Sequence, residues 1–125
     1  MDIPNNLKYT KEHEWIRVKD KTAYVGITDY AQSELGDIVF IELPNINDTF
    51  SKDDVFGTIE AVKTLADLYI PVSGKIIEVN GNLDAEPESV NTDPYNKGWI
   101  VKIELKDPSE LNNLLSDSEY SDLIN

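Results

Sequence analysis

The chain of 125 residues has no cysteine and one histidine, His13, and no apolar run is long enough to cross a membrane. The absence of cysteine excludes disulfides, thiolate metal sites and cysteine nucleophiles together. One imidazole cannot build a histidine-based metal cluster, so we expect no metal site. Any thiol chemistry must therefore be brought in on a cofactor.

Basic residues are also scarce: 11 Lys and Arg stand against 24 Asp and Glu, and the net charge is −13. Such a charge repels nucleic acid and anionic membranes, so we predict binding to neither. It can serve solubility alone, or it can steer the chain toward basic enzymes. Residues 1–6 lack the cationic start and apolar run of a secretory signal, so we expect a cytoplasmic protein of bacterial origin.

The motifs of common catalytic and ligand sites are missing as well. No serine lies in a G-x-S-x-G context, and no glycine-rich phosphate loop follows a predicted strand. Asp48, Asp53 and Asp54 crowd one loop, but their spacing departs from that of a calcium loop. We therefore expect no enzyme active site in this chain.

The main pattern in the sequence is an alternation of apolar and polar residues, which predicts a mainly β fold. The expected strands are residues 14–19, 22–27, 37–43, 55–62, 67–70, 75–79 and 99–105. Capping patterns predict three helices. The first is capped by Thr28 and ended by Gly36. The second begins after Asp107, with Glu110 as the third-position acid of its capping box, and the third begins after Ser116, with Glu119 in the same role. Loops are expected at residues 45–54 and 84–94. The length and the 40% hydrophobic content fit one domain, residues 1–125, built as a small sandwich or flattened barrel.

One lysine is singled out by its place between two strand-like segments, residues 56–62 and 67–72. Lys63 lies at the predicted turn, where its amine points away from the core and is available for acylation. Acylation removes the positive charge and installs a tether. Glu60 and Asp67, three residues before and four after the lysine, are candidate recognition residues for a modifying enzyme, or they are only solubilising charges.

With these residues the chain resembles the H-protein family of the glycine cleavage system over its whole length. The most specific stretch is residues 57–69 around Lys63. The other matching segments are residues 7–15, 25–32, 35–44, 71–74, 78–80, 90–91, 93–95 and 98–100. Ala61 stands where the family often has Ser, and it is small enough for a tight hairpin. Val62 and Thr64 stand where related biotin carriers have methionines, which disfavours biotin.

The resemblance implies a lipoyl-domain-like barrel-sandwich hybrid of antiparallel sheets with short helices, including C-terminal helices. It implies that Lys63 carries lipoate in amide linkage, attached by a lipoate ligase or lipoyltransferase. The protein is then expected to be a shuttle and not an enzyme. It takes an aminomethyl group from the P protein (glycine decarboxylase), presents it to the T protein (aminomethyltransferase) and is reoxidised by the L protein (dihydrolipoamide dehydrogenase). An arm that visits three enzymes favours a monomer.

A further hypothesis concerns the surface on which the loaded arm docks. The aminomethyl amine is a cation at neutral pH, and carboxylates in a partly dehydrated cleft favour a cation and limit hydrolysis. We assign this role to Glu12, Glu14 and Asp67. The alternative is that these three residues are scattered surface acids.

Two other functions remain open at this point. A lipoate-relay donor, which passes lipoyl groups to other lipoyl-dependent enzymes, also needs Lys63, so the sequence does not separate it from the aminomethyl carrier. An unmodified interaction module is the third candidate, and it predicts no mass increase on Lys63.

Overall fold

The computed structural model describes residues 1–125 as two antiparallel β-sheets with short helices. The strands are β1 (Lys8–Tyr9), β2 (Glu14–Lys19), β3 (Thr22–Ile27), β4 (Ile38–Glu42), β5 (Thr49–Phe50), β6 (Val55–Ala61), β7 (Leu65–Tyr69), β8 (Gly74–Val79) and β9 (Val101–Leu105). The helices are α1 (Asp29–Leu35), α2 (Asn82–Ala85), α3 (Ser89–Thr92), a 3₁₀ helix (Pro108–Asn113) and α4 (Asp117–Ile124). No helix is both long and apolar enough to cross a bilayer.

The two sheets differ in size and pack face to face. The larger has six strands in the order β1-β2-β3-β9-β8-β5, and the smaller has three in the order β4-β6-β7. All pairs are antiparallel. The predicted fold class, mainly β with antiparallel sheets and a C-terminal helix, is confirmed, and the sheets do not close into a barrel.

The main core lies between the sheets, because each strand sends alternate apolar side chains inward. Ile59 and Ala61 of β6 are buried while Glu60 between them is exposed. The cluster contains 17 buried residues, namely Ile16, Ala23, Val25, Ile27, Ile38, Ile41, Phe56, Ile59, Leu68, Ile70, Val72, Ile76, Leu83, Val90, Ile100, Val101 and Ile103. Both sheets and the short helices α2 and α3 contribute, so these helices cover one end of the sandwich.

A second, mainly aromatic cluster packs the C-terminal helix α4 against β1 and β2 of the larger sheet. It consists of Leu7, Tyr9, Trp15, Tyr95 and Tyr120. Tyr9 stacks on Tyr120 of α4 with ring centroids 4.8 Å apart. Trp15 pairs across the sheet with Gly26, where an added Cβ would lie 2.6 Å from the indole ring, so a side chain there would displace Trp15.

Several predicted elements are confirmed. Residues 14–19 and 22–27 form the hairpin β2–β3. The hydroxyl of Thr28 caps α1 by accepting the N–H of Ala31, and Gly36 ends that helix. Ser116 and Glu119 form the reciprocal capping box of α4. These features depend on residues that are close together in the chain, so local sequence patterns are sufficient to predict them.

Other elements differ from the prediction. The two-residue strands β1 and β5 carry too few residues to show an alternation. The segment 84–94, expected to be loop, contains the second half of α2 and all of α3. The helix after Asp107 is a 3₁₀ helix. Its Glu110 does not close a capping box, because its carboxylate instead accepts the N–H and the hydroxyl of Ser73 at 2.7 and 2.9 Å.

Candidate cofactor-attachment site

Lys63 lies in the three-residue connection between β6 and β7, as predicted, and its side chain is exposed. The turn is closed by the N–H of Ala61, which donates to the carbonyl of Thr64 at 2.8 Å. It is also fixed to the start of β4, because the N–H of Val62 donates to the carbonyl of Asp37 at 2.9 Å. The lysine is therefore presented on a hydrogen-bonded turn.

The stem of Lys63 lies against Gly36, the residue that ends α1. An added Cβ at Gly36 would come within 3.3 Å of the lysine Cε, and Gly36 also has φ +82°, which favours glycine. Asn91 of α3 holds this segment, since its side-chain amide donates to the Gly36 carbonyl at 2.8 Å and its side-chain oxygen accepts the Ile38 N–H at 3.0 Å. Because Gly36 has no side chain, it leaves space for the lysine stem, and we call this space the Gly36 cradle.

The two candidate recognition residues lie on one face of the smaller sheet. The register pairs Glu60 with Leu65 and Thr58 with Asp67, and residues paired in this way, or two positions apart on one strand, share a face. Glu60 and Asp67 are both exposed. They are accessible to an enzyme that approaches the hairpin.

The three predicted docking residues, Glu12, Glu14 and Asp67, line one cleft of about 390 Å³. The cleft lies between the edge strand β7 and helix α1, and Leu35, the residue before the Gly36 cradle, also lines it. The far end of the Lys63 side chain, which lies at Gly36, is therefore close to the cleft wall. Glu12 and Asp67 are exposed, whereas Glu14 is only 2% exposed.

Glu14 is the unusual acid of the cleft. Burial raises its pKa to about 8, although the Thr10 hydroxyl donates to one carboxyl oxygen at 2.8 Å and the Tyr69 N–H points at the other from 3.4 Å. The nearby charges of Glu12 and Asp53 raise the pKa further. At neutral pH Glu14 is therefore mostly protonated, a property that its sequence position did not reveal.

His13 lines the same cleft and is held by a chain of hydrogen bonds that the sequence did not predict. Its Nδ1 lies 2.8 Å from the Tyr120 hydroxyl, which lies 2.7 Å from the buried Thr28 hydroxyl. When Thr28 donates to Tyr120 and Tyr120 donates to Nδ1, the imidazole is neutral and carries its proton on Nε2. Burial lowers the pKa of His13, which favours this neutral form.

A second cavity, of about 380 Å³, shares Glu12 and Glu14 with the cleft and adds Lys11, Lys52 and Asp53 to its lining. Glu14 therefore contributes to the walls of both cavities. No group of three or more His, Cys, Asp or Glu side chains is placed to hold a metal ion. At this end of the molecule the exposed amine of Lys63 therefore lies near an acidic cleft.

A β-sandwich that displays a lysine on a hairpin turn, with a glycine cradle under its stem, has the features of a cofactor-carrier domain. The family model described as "Glycine cleavage H-protein" matches residues 7–125. The chain belongs to this family, whose role in the glycine cleavage system is that of a lipoyl carrier and not of a catalyst.

A solved structure agrees with this assignment. The crystal structure of a glycine cleavage system H protein from Mycobacterium marinum is similar to this chain, with 38% sequence identity and a TM-score of 0.89. The similarity covers 96% of this chain and 97% of that one. The resemblance stated from the sequence is therefore confirmed over nearly the whole length.

Proposed function

We propose that this protein carries lipoate in amide linkage on Lys63 and shuttles an aminomethyl group from the P protein to the T protein, with reoxidation by the L protein. The observation that carries the proposal is Lys63 itself, an exposed amine on a fixed turn in a chain of the H-protein family. Bound there, lipoate supplies the two sulfurs that the cysteine-free chain lacks. A cytoplasmic location and a monomeric state remain predictions.

The Gly36 cradle supports this role by its position. It gives the Lys63 stem a path along the end of α1 toward Leu35 and the cleft. The stem can also swing outward, since the turn leaves it exposed. A carrier needs both orientations, because it must present its cargo to enzymes and keep it from water between visits.

Within the proposal, Glu12, Glu14 and Asp67 hold the cationic amine of the cargo in the cleft. Glu14 has a distinct role, because it is mostly protonated when no cation faces it. A cation near the carboxyl group favours the ionised form, so docking releases a proton from Glu14 below pH 8. The cleft then matches the cargo's charge only when the cargo is present, and docking strengthens as the pH rises from 6 toward about 8.

Timed hydrolysis of the loaded protein tests the cleft. Glu14→Ala and Asp67→Ala are expected to shorten the lifetime of the cargo, because they remove carboxyl groups from its site. Glu104→Gln is the matched control, since Glu104 is an exposed acid on β9 away from the cleft. Equal lifetimes in all four proteins would show that Glu14 and Asp67 do not hold the cargo.

Glycine–bicarbonate exchange with the P protein separates the carrier from the relay donor. The lipoylated protein is expected to support exchange, and the Lys63→Arg variant is expected to support none. A lipoylated protein that donates lipoyl groups to other enzymes but supports no exchange would be a relay donor, and the proposed shuttle function would be wrong.

Proposed enzymes that attach the lipoyl group are a lipoate ligase or a lipoyltransferase. Glu60 and Asp67 are the residues that we propose they recognise, because both are exposed on the sheet face that leads to Lys63. Glu60→Gln and Asp67→Asn are expected to slow lipoylation of the unmodified protein. Unchanged initial rates in both variants would show that the attaching enzyme does not recognise these acids.

A further inference from the structure

The second cavity, of about 380 Å³, has no role in the proposed carrier function. Its walls come mainly from three segments of the chain: residues 10–12 before β2, residues 52–53 before β6, and residues 113–115 at the end of the 3₁₀ helix. Its volume falls within the range of about 300–1,000 Å³ that is usual for small-molecule sites. The cavity is therefore large enough for a ligand of its own.

The charges that line the second cavity are balanced, whereas those of the cleft are all negative. Each of the first two segments contributes one cation and one anion, namely Lys11 with Glu12 and Lys52 with Asp53. The cleft is lined by four acids and by no lysine or arginine, the acids being Glu12, Glu14, Glu34 and Asp67. In a chain of net charge −13, a cavity with both signs favours a ligand that also carries both signs.

Backbone hydrogen bonds hold the walls of the second cavity in place. Tyr9, which precedes the first segment, exchanges two N–H···O bonds with Leu115 of the third segment, at 2.9 and 2.8 Å. The N–H of Asp53 in the second segment donates to the carbonyl of Ile70 at 2.9 Å. Because these walls are already ordered, a ligand loses little free energy to loop ordering when it binds.

The ligand that fits these walls has an ammonium group and a carboxylate group. The carboxylates of Glu12 and Asp53 accept hydrogen bonds from an ammonium group, and the amines of Lys11 and Lys52 donate to a carboxylate. Glu14 also lines the cavity, and a cation beside it favours the ionised form of its carboxyl group. The apolar part of the lining suits the carbon atoms of such a ligand and consists of Tyr9, Pro71, Leu114 and Leu115.

We propose that the second cavity is a binding site for a free amino acid, whose ammonium group faces Glu12 and Asp53 and whose carboxylate faces Lys11 and Lys52. The proposal goes beyond the carrier function and does not depend on the lipoyl group. It depends on the presence of both charges in the ligand, which the test varies one at a time.

The test titrates the full-length protein with glycine and follows the backbone amide shifts by NMR. Glycine is expected to give saturable shifts in the three wall segments with a dissociation constant in the millimolar range, since it has few atoms to contact the protein. Glycinamide lacks the carboxylate, and acetate lacks the amine. Both are expected to bind at least about tenfold more weakly than glycine, because each loses one set of charge-assisted hydrogen bonds.

Two variants remove one charge each from the cavity walls. Lys52→Gln and Asp53→Asn are both expected to weaken glycine binding about tenfold. Asparagine tolerates the φ of +73° at Asp53, so the loop keeps its shape. Lys75→Gln and Glu104→Gln are the matched controls, because Lys75 is half-buried like Lys52, Glu104 is exposed like Asp53, and neither lines the cavity. Both controls are expected to bind glycine as the wild type does.

Three results would overturn the proposal. Shifts confined to cleft residues 27–35 and 66–69 would show that the amino acid occupies the other cavity. Equal binding of glycine and glycinamide would show a site for any cation, in which the lysines have no part. Absence of saturable shifts, or wild-type affinity in both Lys52→Gln and Asp53→Asn, would show that the cavity does not bind amino acids through its charges.

Discussion

Replacing Glu14 by Gln tests the structural account of the cleft most fully. The carboxyl group is buried, and its pKa is raised from 4.5 to about 8 chiefly by that burial. Between these two values the folded chain keeps a proton that the unfolded chain has lost. Stability therefore falls as the pH rises, and the fall ends near pH 8. Gln has the same shape and does not titrate, so the variant lacks this contribution.

The size of the effect follows from the two pKa values. At about 1.4 kcal/mol for each pH unit between 4.5 and about 8, the whole contribution is on the order of 5 kcal/mol. About 3–4 kcal/mol of this is expected between pH 5 and pH 8, the range in which urea unfolding is convenient. Wild type is therefore expected to lose that much stability relative to Glu14→Gln over this range.

The assay is urea unfolding of wild type, Glu14→Gln and the control Glu104→Gln at pH 5, 6, 7 and 8. The free energy of unfolding of Glu104→Gln should follow that of wild type, because Glu104 is exposed on β9 and lies outside the cleft. A constant difference between wild type and Glu14→Gln at all four pH values would refute the reasoning. It would mean that Glu14 titrates alike in the folded and unfolded chains.

Three further substitutions test the contacts around the site by urea unfolding at pH 7. Gly36→Ala should cost about 1–3 kcal/mol, because alanine is strained at φ +82° and its Cβ would crowd Lys63, and an unchanged stability would disprove the cradle. Asn91→Ala should cost about 1–3 kcal/mol by freeing the carbonyl of Gly36 and the N–H of Ile38, and a loss below about 0.3 kcal/mol would contradict this. Tyr120→Phe keeps the ring stacked on Tyr9 but removes the hydroxyl that is hydrogen-bonded to both Thr28 and His13, so a loss of about 1–3 kcal/mol is expected; full stability would show that the hydrogen-bond chain has no role.

The position of Lys63 could be predicted from the sequence because it depends on local features. Two strand-like segments separated by a few residues specify a hairpin, and the alternation along β6 decides which side chains face outward. The caps at Thr28 and Ser116 are likewise decided by residues three positions apart. The same alternation predicts that Glu60 near the turn faces outward, and it is exposed, while its role in recognition stays a prediction.

The state of Glu14 could not be predicted, because it depends on contacts between distant segments. Its carboxyl group is buried partly by β7, whose Tyr69 is 55 positions away in sequence. The contact of His13 with Tyr120 spans 107 positions. No pattern in a single sequence reports such separations.

The exposure of both Val39 and Phe40 could not be predicted for a related reason. Alternation predicts that one of Val39 and Phe40 faces inward, and the bulge in β4 turns both outward. The missing capping box after Asp107 is also a tertiary effect, since Ser73 occupies the carboxylate of Glu110 that a capping box requires. In both cases a contact with another strand or loop overrides the local preference.

The most direct test of the central claim is the intact mass of the protein from a lipoylation-competent host, followed by peptide mapping. The account predicts one lipoyl increment, located on Lys63 and absent from the Lys63→Arg variant. An unmodified wild-type chain, or an increment that persists in Lys63→Arg, would contradict the assignment of this lysine as the attachment site.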